Sequence, residues 1–294
     1  MIVVTTPTGN IGSRVLTDLL ANTEPIRVIA RDPDRLAPEA RKRVEVVVGS
    51  HGDSAVVTRA FQDADSVFWV VPPDPGAASV AAAYVDFARP AVKALRQQGV
   101  KRVVGVSALG RGTPWATHAG LATASFAMDD LIASSGASYR ALTMPSFMEN
   151  LLRQVESIST GGAFFLPIDG DRKLPSAAAY DVARVAARLL LDHSWTGVAS
   201  VPILGPEDLS YNDMARILSE VLGRPVRFEQ ISNDAFKARL IGRGMSDAMA
   251  QGNVDMWIAK GNGIDNAVTR TPESSTPTTF RDWASQVLRA RVAP

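Results

Sequence analysis

An α/β fold, built on a doubly wound parallel sheet and completed by a smaller C-terminal α/β domain, is what this sequence predicts. Three observations predict it. Short β-branched runs alternate with longer helical patterns through the first half, and the runs are apolar on both faces, as in a parallel sheet covered by helices on either side. A Thr/Pro/Gly turn joins the first run directly to an amphipathic helical pattern. After Pro145 the alternation loosens and helical stretches dominate.

In order, "IVVTT" precedes a helix from about Ile11 to Asn22, "IRVIAR" precedes "DPDRLAPEARKR", and "VEVVVG" precedes "DSAVVTRAFQDA". "SVFWVV" leads into one long helix, "GAASVAAAYVDFARPAVKALRQQG". "KRVVGVSA" then precedes a helix near Leu121 to Ser135, and "SYRALTM" closes the series. Beyond it, helices near Tyr180–Asp192 and Tyr211–Leu222 are separated by the strand-like "GVASVPILG" and followed by "PVRFEQIS". Helical stretches near Asp234–Ile241 and Met245–Lys260, a Thr/Pro/Ser-rich loop at 269–279 and a terminal helix, "TFRDWASQVLRARV", complete the chain. No repeat or low-complexity linker separates the halves, so the second is expected to fold back onto the first.

With 294 residues, 46% hydrophobic and 21% charged, the chain can bury a large core. Its 31 basic and 30 acidic residues are interspersed without a basic stripe, which argues against nucleic acid as a partner. The lack of cysteine excludes disulfides, thiolate metal sites and a Cys nucleophile. His51, His118 and His193 lie far apart without zinc-ligand spacing, so no metal is expected. No signal-like leader opens the chain, and no apolar run reaches the ~18 residues that span a bilayer. The expectation is a cytoplasmic protein, monomer or homodimer, with no membrane partner.

The turn "TTPTGNIGS" carries the first functional signal. A dinucleotide pyrophosphate requires a tight turn, close backbone approach and a helix N-terminus aimed at it. Gly9 and Gly12, three apart between strand and helix, suit that task. Thr6 takes the first position of a Gly-x-x-Gly-x-x-Gly spacing, which a negative φ would permit, and the Thr6 and Thr8 hydroxyls add donors for phosphate. The competing reading is an ordinary turn in which Gly9 supplies a positive φ. At the end of the second strand, "VIARDPDR" puts Arg31 where an acid would favour NAD. A guanidinium there, joined by Arg35, suits the 2′-phosphate of NADP, while the adjacent Asp32 keeps NAD open.

Taken together, "TTPTGNIGSRVL", "VIARDPDRL", "GVKRVVGVSALG" and "MPSFMENLL" resemble the NmrA-like branch of the atypical short-chain dehydrogenases/reductases over nearly the whole chain. The resemblance implies an NAD- or NADP-binding Rossmann domain over 1–145. It implies a mainly substrate-binding domain over 146–294, with segments returning to the Rossmann core. By position it implies Thr6, Thr8, Gly9, Asn10, Ile11 and Gly12 at the phosphates and Arg31 at the adenosine ribose. Val71 and Pro72 would run along the nicotinamide ribose, with Ser107, Pro145 and Phe147 beside the nicotinamide. There are two departures. The first glycine is Thr6, and where the family often has Gly-Asp near the adenine, Gly49 is followed by Ser50 and His51.

Short-chain dehydrogenases usually protonate the acceptor with a Tyr activated by a Lys four residues later. Here Tyr84, Tyr139, Tyr180 and Tyr211 are followed at that spacing by Ala88, Thr143, Arg184 and Ala215, so the pair is absent. Leu121 and Ser125 stand in its places on the family helix. Ser107, at the C-terminal end of the fifth strand, is either a catalytic hydrogen-bonding group or a turn cap. His118, inside "TPWATHAG", is the titratable group best placed by sequence for proton transfer, or else a solvated loop histidine. Asn150 is expected to reach the cleft, and Glu149 either does so or opens a helix. Trp115, Phe147, Met148 and Phe164–Phe165 are expected as walls of cleft or core.

Reducing an isolated ketone leaves an alkoxide that needs a strong acid nearby, whereas a quinone delocalises the incoming charge. The expected function is therefore an NAD(P)H-dependent oxidoreductase acting on a quinone-like or polycyclic aromatic small molecule, as a reductase or as a monooxygenase tailoring an aromatic polyketide. The alternative is an NAD(P)-sensing regulatory protein without turnover. Such a sensor would expose a partner surface, whereas an enzyme would enclose an apolar pocket.

Overall fold

The computed structural model describes residues 1–72 and 74–292. Its first six strands are β1 (Ile2–Thr5), β2 (Ile26–Ala30), β3 (Glu45–Val48), β4 (Ser66–Trp69), β5 (Arg102–Ala108) and β6 (Ser138–Met144). The shorter β7 (Ser146–Phe147), β8 (Ala163–Leu166), β9 (Leu174–Ala177), β10 (Val198–Pro202), β11 (Asp208–Leu209) and β12 (Arg227–Gln230) follow. Seven of these form one sheet in the order β10-β6-β5-β4-β1-β2-β3, and every neighbouring pair is parallel. This is the doubly wound sheet that the apolar strand runs predict. Strand order reverses between β1 and β4, and such a reversal opens a crevice beyond the carboxyl ends of the strands.

The helices are α1 (Gly12–Leu20), α2 (Pro38–Arg41), α3 (Ser54–Ala60), α4 (Phe87–Gln98), α5 (Leu121–Ala133) and α6 (Val155–Gly161). After them come α7 (Ala179–Leu191), α8 (Tyr211–Leu222), α9 (Asn233–Gly242), α10 (Asp247–Gly261) and α11 (Phe280–Trp283). One face of the sheet is covered by α1 and α7, whose Val15, Leu19, Val182 and Leu190 are fully buried. The other is covered by α3, α4 and α5 through Val57, Ala88, Leu95, Met128 and Ile132. Small residues at Ala183, Ala186 and Ala187 let α7 seat closely. Both α7 and β10 follow residue 145 in sequence yet belong to the layers of the large sheet.

A third core gathers the C-terminal aromatics. Phe164, Tyr211, Trp257, Phe280 and Trp283 are buried together, with Tyr211 stacked on Phe228 at 5.3 Å and Phe280 on Trp283 at 5.6 Å. Two small sheets, β11-β9-β7 and β12-β8, flank it. From this core α9 and α10 reach back to the large sheet. Ser246 caps α10 by accepting from the Met249 amide, while its own amide and hydroxyl donate to the Pro75 and Ala77 carbonyls beyond β4. Gly252 removes a side chain where a Cβ would stand 2.5 Å from Val80. The helix therefore lies close over the crevice.

Two expected helices are interrupted, each by proline. Pro33 and Pro38 split the segment after β2 into a 3₁₀ turn at 33–35 and the single turn of α2. The long helix expected over 76–99 instead opens with a widened π turn at Ala82–Asp86 ahead of α4. Pro90 cannot donate to the Asp86 carbonyl and its ring crowds it, and the wide turn accommodates that mismatch.

Candidate functional site: a three-part cleft beyond the strands

Three adjoining cavities of about 450, 370 and 490 Å³ run across the carboxyl ends of the strands. The inner two share Thr6, Gly9 and Pro72 as a common wall. The middle and outer ones share Tyr84, Leu121, Ser146, Asn150, Arg153 and Met256.

The turn after β1 forms the boundary of the first two. Thr6 has φ of +50°, not the negative value the sequence reading allowed, whereas Gly9 and Gly12 do not have positive φ. The glycines provide room instead. A Cβ on Gly12 would stand 2.2 Å from the Thr6 carbonyl oxygen, and one on Gly9 would stand 3.2 Å from it. That carbonyl also accepts from the Gly9 amide at 2.9 Å, which closes the turn. The Thr5 hydroxyl ties β1 to β4, donating to the Phe68 carbonyl at 2.9 Å and accepting from the Val70 amide at 3.0 Å. The Thr6 hydroxyl, in contrast, is buried without a partner. The amides of Asn10, Ile11 and Gly12, at the start of α1, also donate to no group among the described residues. An orphaned hydroxyl beside free amides at a helix N-terminus fits a diphosphate, so the residues present suit a dinucleotide.

The first cavity has the walls an adenosine moiety needs. Arg31, Arg35, Ser50 and His51 line it together with Pro7 and Thr8. Asp32, the acid that kept NAD open, spends its carboxylate on the Asp34 amide at 3.1 Å and does not line the cavity. His51 packs edge-on against Trp69 and Phe87, and its Nε2–H donates to the Val70 carbonyl at 2.9 Å. Burial pushes its pKa down to about 4, helped by the Arg31 charge and opposed by that backbone bond, so the ring is a neutral wall at pH 7.

The middle cavity is lined by Val70, Val71, Pro72, Ser107, Ser125, Pro145 and Phe147, with Asn10, Ile11 and Gly12 at one end. Behind it lies a polar cluster that the sequence reading missed. Ser107 Oγ donates to Asp129 Oδ2 at 2.5 Å, and the Tyr139 hydroxyl donates to Oδ1 at 2.6 Å. Ser125 Oγ reaches Ser107 Oγ at 3.4 Å, and the Arg111 guanidinium stands 3.6 Å from Asp129. Burial raises the Asp129 pKa to about 6 against the opposing pull of the Ser107, Tyr139 and Arg111 contacts. Gly105 makes room for this cluster, because a Cβ there would fall 2.3 Å from the Tyr139 hydroxyl. The available signal was spacing: Leu121, Ser125 and Asp129 recur every four residues on one face of α5. Lys260, buried and ion-paired with Asp265, completes the wall.

Three expected site residues lie elsewhere. His118 is exposed in the connection between β5 and α5, with Nδ1 2.8 Å from the Thr117 hydroxyl, and it lines none of the three cavities. Trp115, 39% exposed in the same connection, does not line them either. Thr123 folds that connection into a compact turn by donating to the Ala116 carbonyl and accepting from the Ala119 amide, which leaves both rings outside. Met148 is buried in the C-terminal core, facing a separate cavity of about 40 Å³. Glu149 turns inward and caps α7 by accepting from the Ala179 amide at 3.0 Å. Asn150 reaches both the middle and the outer cavities, while of the Phe pair only Phe165 lines the outer one.

Among the described residues no helix is long and apolar enough to cross a membrane, and no group of three or more His, Asp or Glu is placed to hold a metal. A parallel sheet with a helix N-terminus and free amides at its switch point defines a dinucleotide-binding α/β protein. Comparison with known proteins makes this more specific. The model of the NAD(P)H-binding family matches residues 7–193, and the chain belongs to that family, within the NmrA-like group of atypical short-chain dehydrogenases/reductases. It is 30% identical to the (4-alkanoyl-5-oxo-2,5-dihydrofuran-3-yl)methyl phosphate reductase of Streptomyces griseus over 99% of both chains. It is 28% identical to the NAD(P)H azoreductase of Xenophilus azovorans, over 87% of this chain and 86% of that protein. The NADPH-dependent quinone oxidoreductase of Escherichia coli, solved with NADPH, superposes with a TM-score of 0.79 at 25% identity, over 98% of this chain and 99% of that one.

Two outcomes are expected from this geometry. Gly12→Ala drives a methyl into the Thr6 carbonyl, so NADPH affinity measured by fluorescence titration should fall by about tenfold or more while far-UV circular dichroism stays unchanged. Asp129 binds its proton more tightly in the folded state than in the unfolded chain, so its contribution weakens stability as pH rises from about 4 to about 6. Asp129→Asn should therefore flatten the pH dependence of the urea midpoint in that window and raise stability relative to the native chain at pH 7.

Proposed function

We propose that this protein is an NADPH-dependent reductase of conjugated, electron-poor small molecules, quinone-like or polycyclic aromatic. The observation that carries this reading is the apolar middle cavity, which adjoins the pyrophosphate turn and has the hydroxyl of Ser107 in its wall. Thr6, Thr8, Gly9, Asn10, Ile11 and Gly12 hold the phosphates, Arg31 and Arg35 take the 2′-phosphate, and Ser50 borders the adenine. Val71, Pro72, Pro145 and Phe147 enclose the nicotinamide. Bound NADPH supplies the hydride. The names of the relatives support the acceptor class, since a quinone, an azo compound and an acyl-dihydrofuranone each present a conjugated acceptor.

The chain's own residues supply a hydrogen bond to the oxygen that gains charge. Ser107 faces the cavity on one side and Asp129 on the other. When Asp129 is ionised, Ser107 donates to it and offers the cavity only lone pairs. When Asp129 is protonated, its O–H donates to Ser107 Oγ, and the Ser107 hydroxyl is free to donate to the oxygen that gains charge on the acceptor. Tyr139 and Arg111 hold the carboxylate in place throughout. A delocalised acceptor needs only this hydrogen bond and can take its proton from water, whereas an isolated ketone would need a stronger acid. Asn150 and Phe147 border the acceptor, and α9 and α10 exclude solvent above it.

Anaerobic stopped-flow oxidation of NADPH against a quinone panel tests the reading. Turnover without oxygen, with simple aliphatic ketones inert, is expected. A strict oxygen requirement would favour a monooxygenase, and tight NADPH binding without any turnover would favour a sensor. In the reductase, kcat/KM should rise as pH falls through about 6, and Asp129→Asn should remove that rise. Ser107→Ala should lower kcat by about ten- to a hundredfold below about pH 6, the loss shrinking at higher pH as Asp129 ionises and takes the Ser107 hydrogen bond. Arg31→Ala should weaken NADPH by about tenfold or more and leave NADH nearly unaffected, erasing the preference between them.

A further inference from the structure

The outer cavity has a charge pattern that hydride transfer to a neutral acceptor does not require. Three arginines line it, Arg153, Arg239 and Arg243, and no aspartate or glutamate is among its described lining residues. Some arginines elsewhere find carboxylates, among them Arg27 with Glu45, Arg111 with Asp130, Arg216 with Glu220 and Arg270 with Asp208. Among the described residues none of these three cavity arginines forms an ion pair. Arg239 and Arg243 lie one turn apart at the C-terminal end of α9, where cations complement the helix dipole. That accounts for two of the positions but not for Arg153, which comes from the segment after β7 and reaches the neck beside Tyr84. It also leaves the missing carboxylates unexplained.

The remaining walls describe the rest of a ligand. Phe236, Leu240, Met256 and Trp257 form an apolar part of the same lining. The Arg239 guanidinium lies over the Phe165 ring at 4.4 Å, which holds the plane of the cation and leaves its N–H groups free to donate. A forked cation backed by an aromatic ring, with further guanidiniums lining the same space, is the arrangement that binds phosphate, sulfonate or carboxylate through paired charge-assisted hydrogen bonds.

We propose that the outer cavity binds the anionic end of the substrate through Arg153, Arg239 and Arg243, so that the molecule reduced in the middle cavity is an acidic one. The assignment rests on the reductase reading for what lies at the other end of the molecule. It explains why the cavity sets three arginines and no carboxylate beside an apolar wall.

Isothermal titration of the NADP⁺-loaded protein with 2-naphthyl phosphate and with 2-naphthol tests the anion site without any turnover, the loaded coenzyme keeping the phosphate out of its own groove. The phosphate should bind at least about tenfold more tightly, with the preference shrinking as salt rises. Arg153→Gln and Arg239→Gln should each remove most of that preference, and Arg239→Gln, which lies outside the middle cavity, should leave 2-naphthol affinity unchanged. Equal affinity for the two ligands, or a preference that survives Arg153→Gln/Arg239→Gln/Arg243→Gln, would overturn the proposal. A parallel assay compares NADPH oxidation by 1,4-naphthoquinone and 1,4-naphthoquinone-2-sulfonate. If the phosphate preference depends on the arginines but neither quinone is reduced, the anion site stands and the reductase reading falls. If both quinones are reduced while the arginines do not discriminate, the reverse holds.

Discussion

The Thr6 carbonyl fills the space that any side chain on Gly12 would need, and much of the cleft depends on that contact. It brings the first turn of α1 against the end of β1, so that amides with no other partner face the switch point of the sheet. A β-branched residue at φ of +50° is strained by roughly 1–2 kcal/mol. The turn keeps that conformation because the same carbonyl accepts from Gly9 and because Thr5, one residue earlier, is stitched to β4 from both sides. Strain held in this way leaves the Thr6 hydroxyl unpartnered inside the groove, available to a ligand oxygen.

Polarity is graded along the cleft. Two arginines border the first cavity, while a neutral histidine, whose ring burial keeps uncharged, completes its wall without adding charge. The middle cavity is mostly apolar: Asp129 lies beneath Ser107, Lys260 is neutralised by Asp265, and Arg153 stands where it meets the outer cavity. Beyond the neck the outer cavity turns cationic again. An apolar compartment between two cationic ones suits a coenzyme and an acidic substrate whose reacting ends meet in the middle, since charge at the far ends is matched and the reacting centre stays shielded from water.

Local patterns made the fold legible. The β-branched runs, the glycine spacing after β1 and the alternation up to β6 are short-range features, and the sheet follows them closely. Two errors in helix length trace to Pro33, Pro38 and Pro90, whose effect on a neighbouring carbonyl is local but was outweighed by the surrounding helical composition. The site was legible only where it lies on that scaffold. Residues at strand ends, such as Arg31, Val71, Ser107 and Pro145, line the cleft because strand direction in a parallel sheet determines where the ends emerge. His118 and Trp115 sit in a long connection, and hydrogen bonds from Thr123 across several residues decide that they face away.

The sequence by itself therefore determined the parallel sheet, the glycine-spaced turn ahead of α1 and the lack of an ordinary Tyr/Lys acid, because periodicity, glycine spacing and residue identity are properties of the chain. Only the tertiary structure decided which side chains share a cavity. Asp129 meets Ser107 and Tyr139 because α5 packs on β5 and β6, and Arg153 lines one cavity with Arg239 and Arg243, which come from the end of α9. Those encounters join residues far apart in sequence, and their burial and charge exist only once the layers have closed on one another.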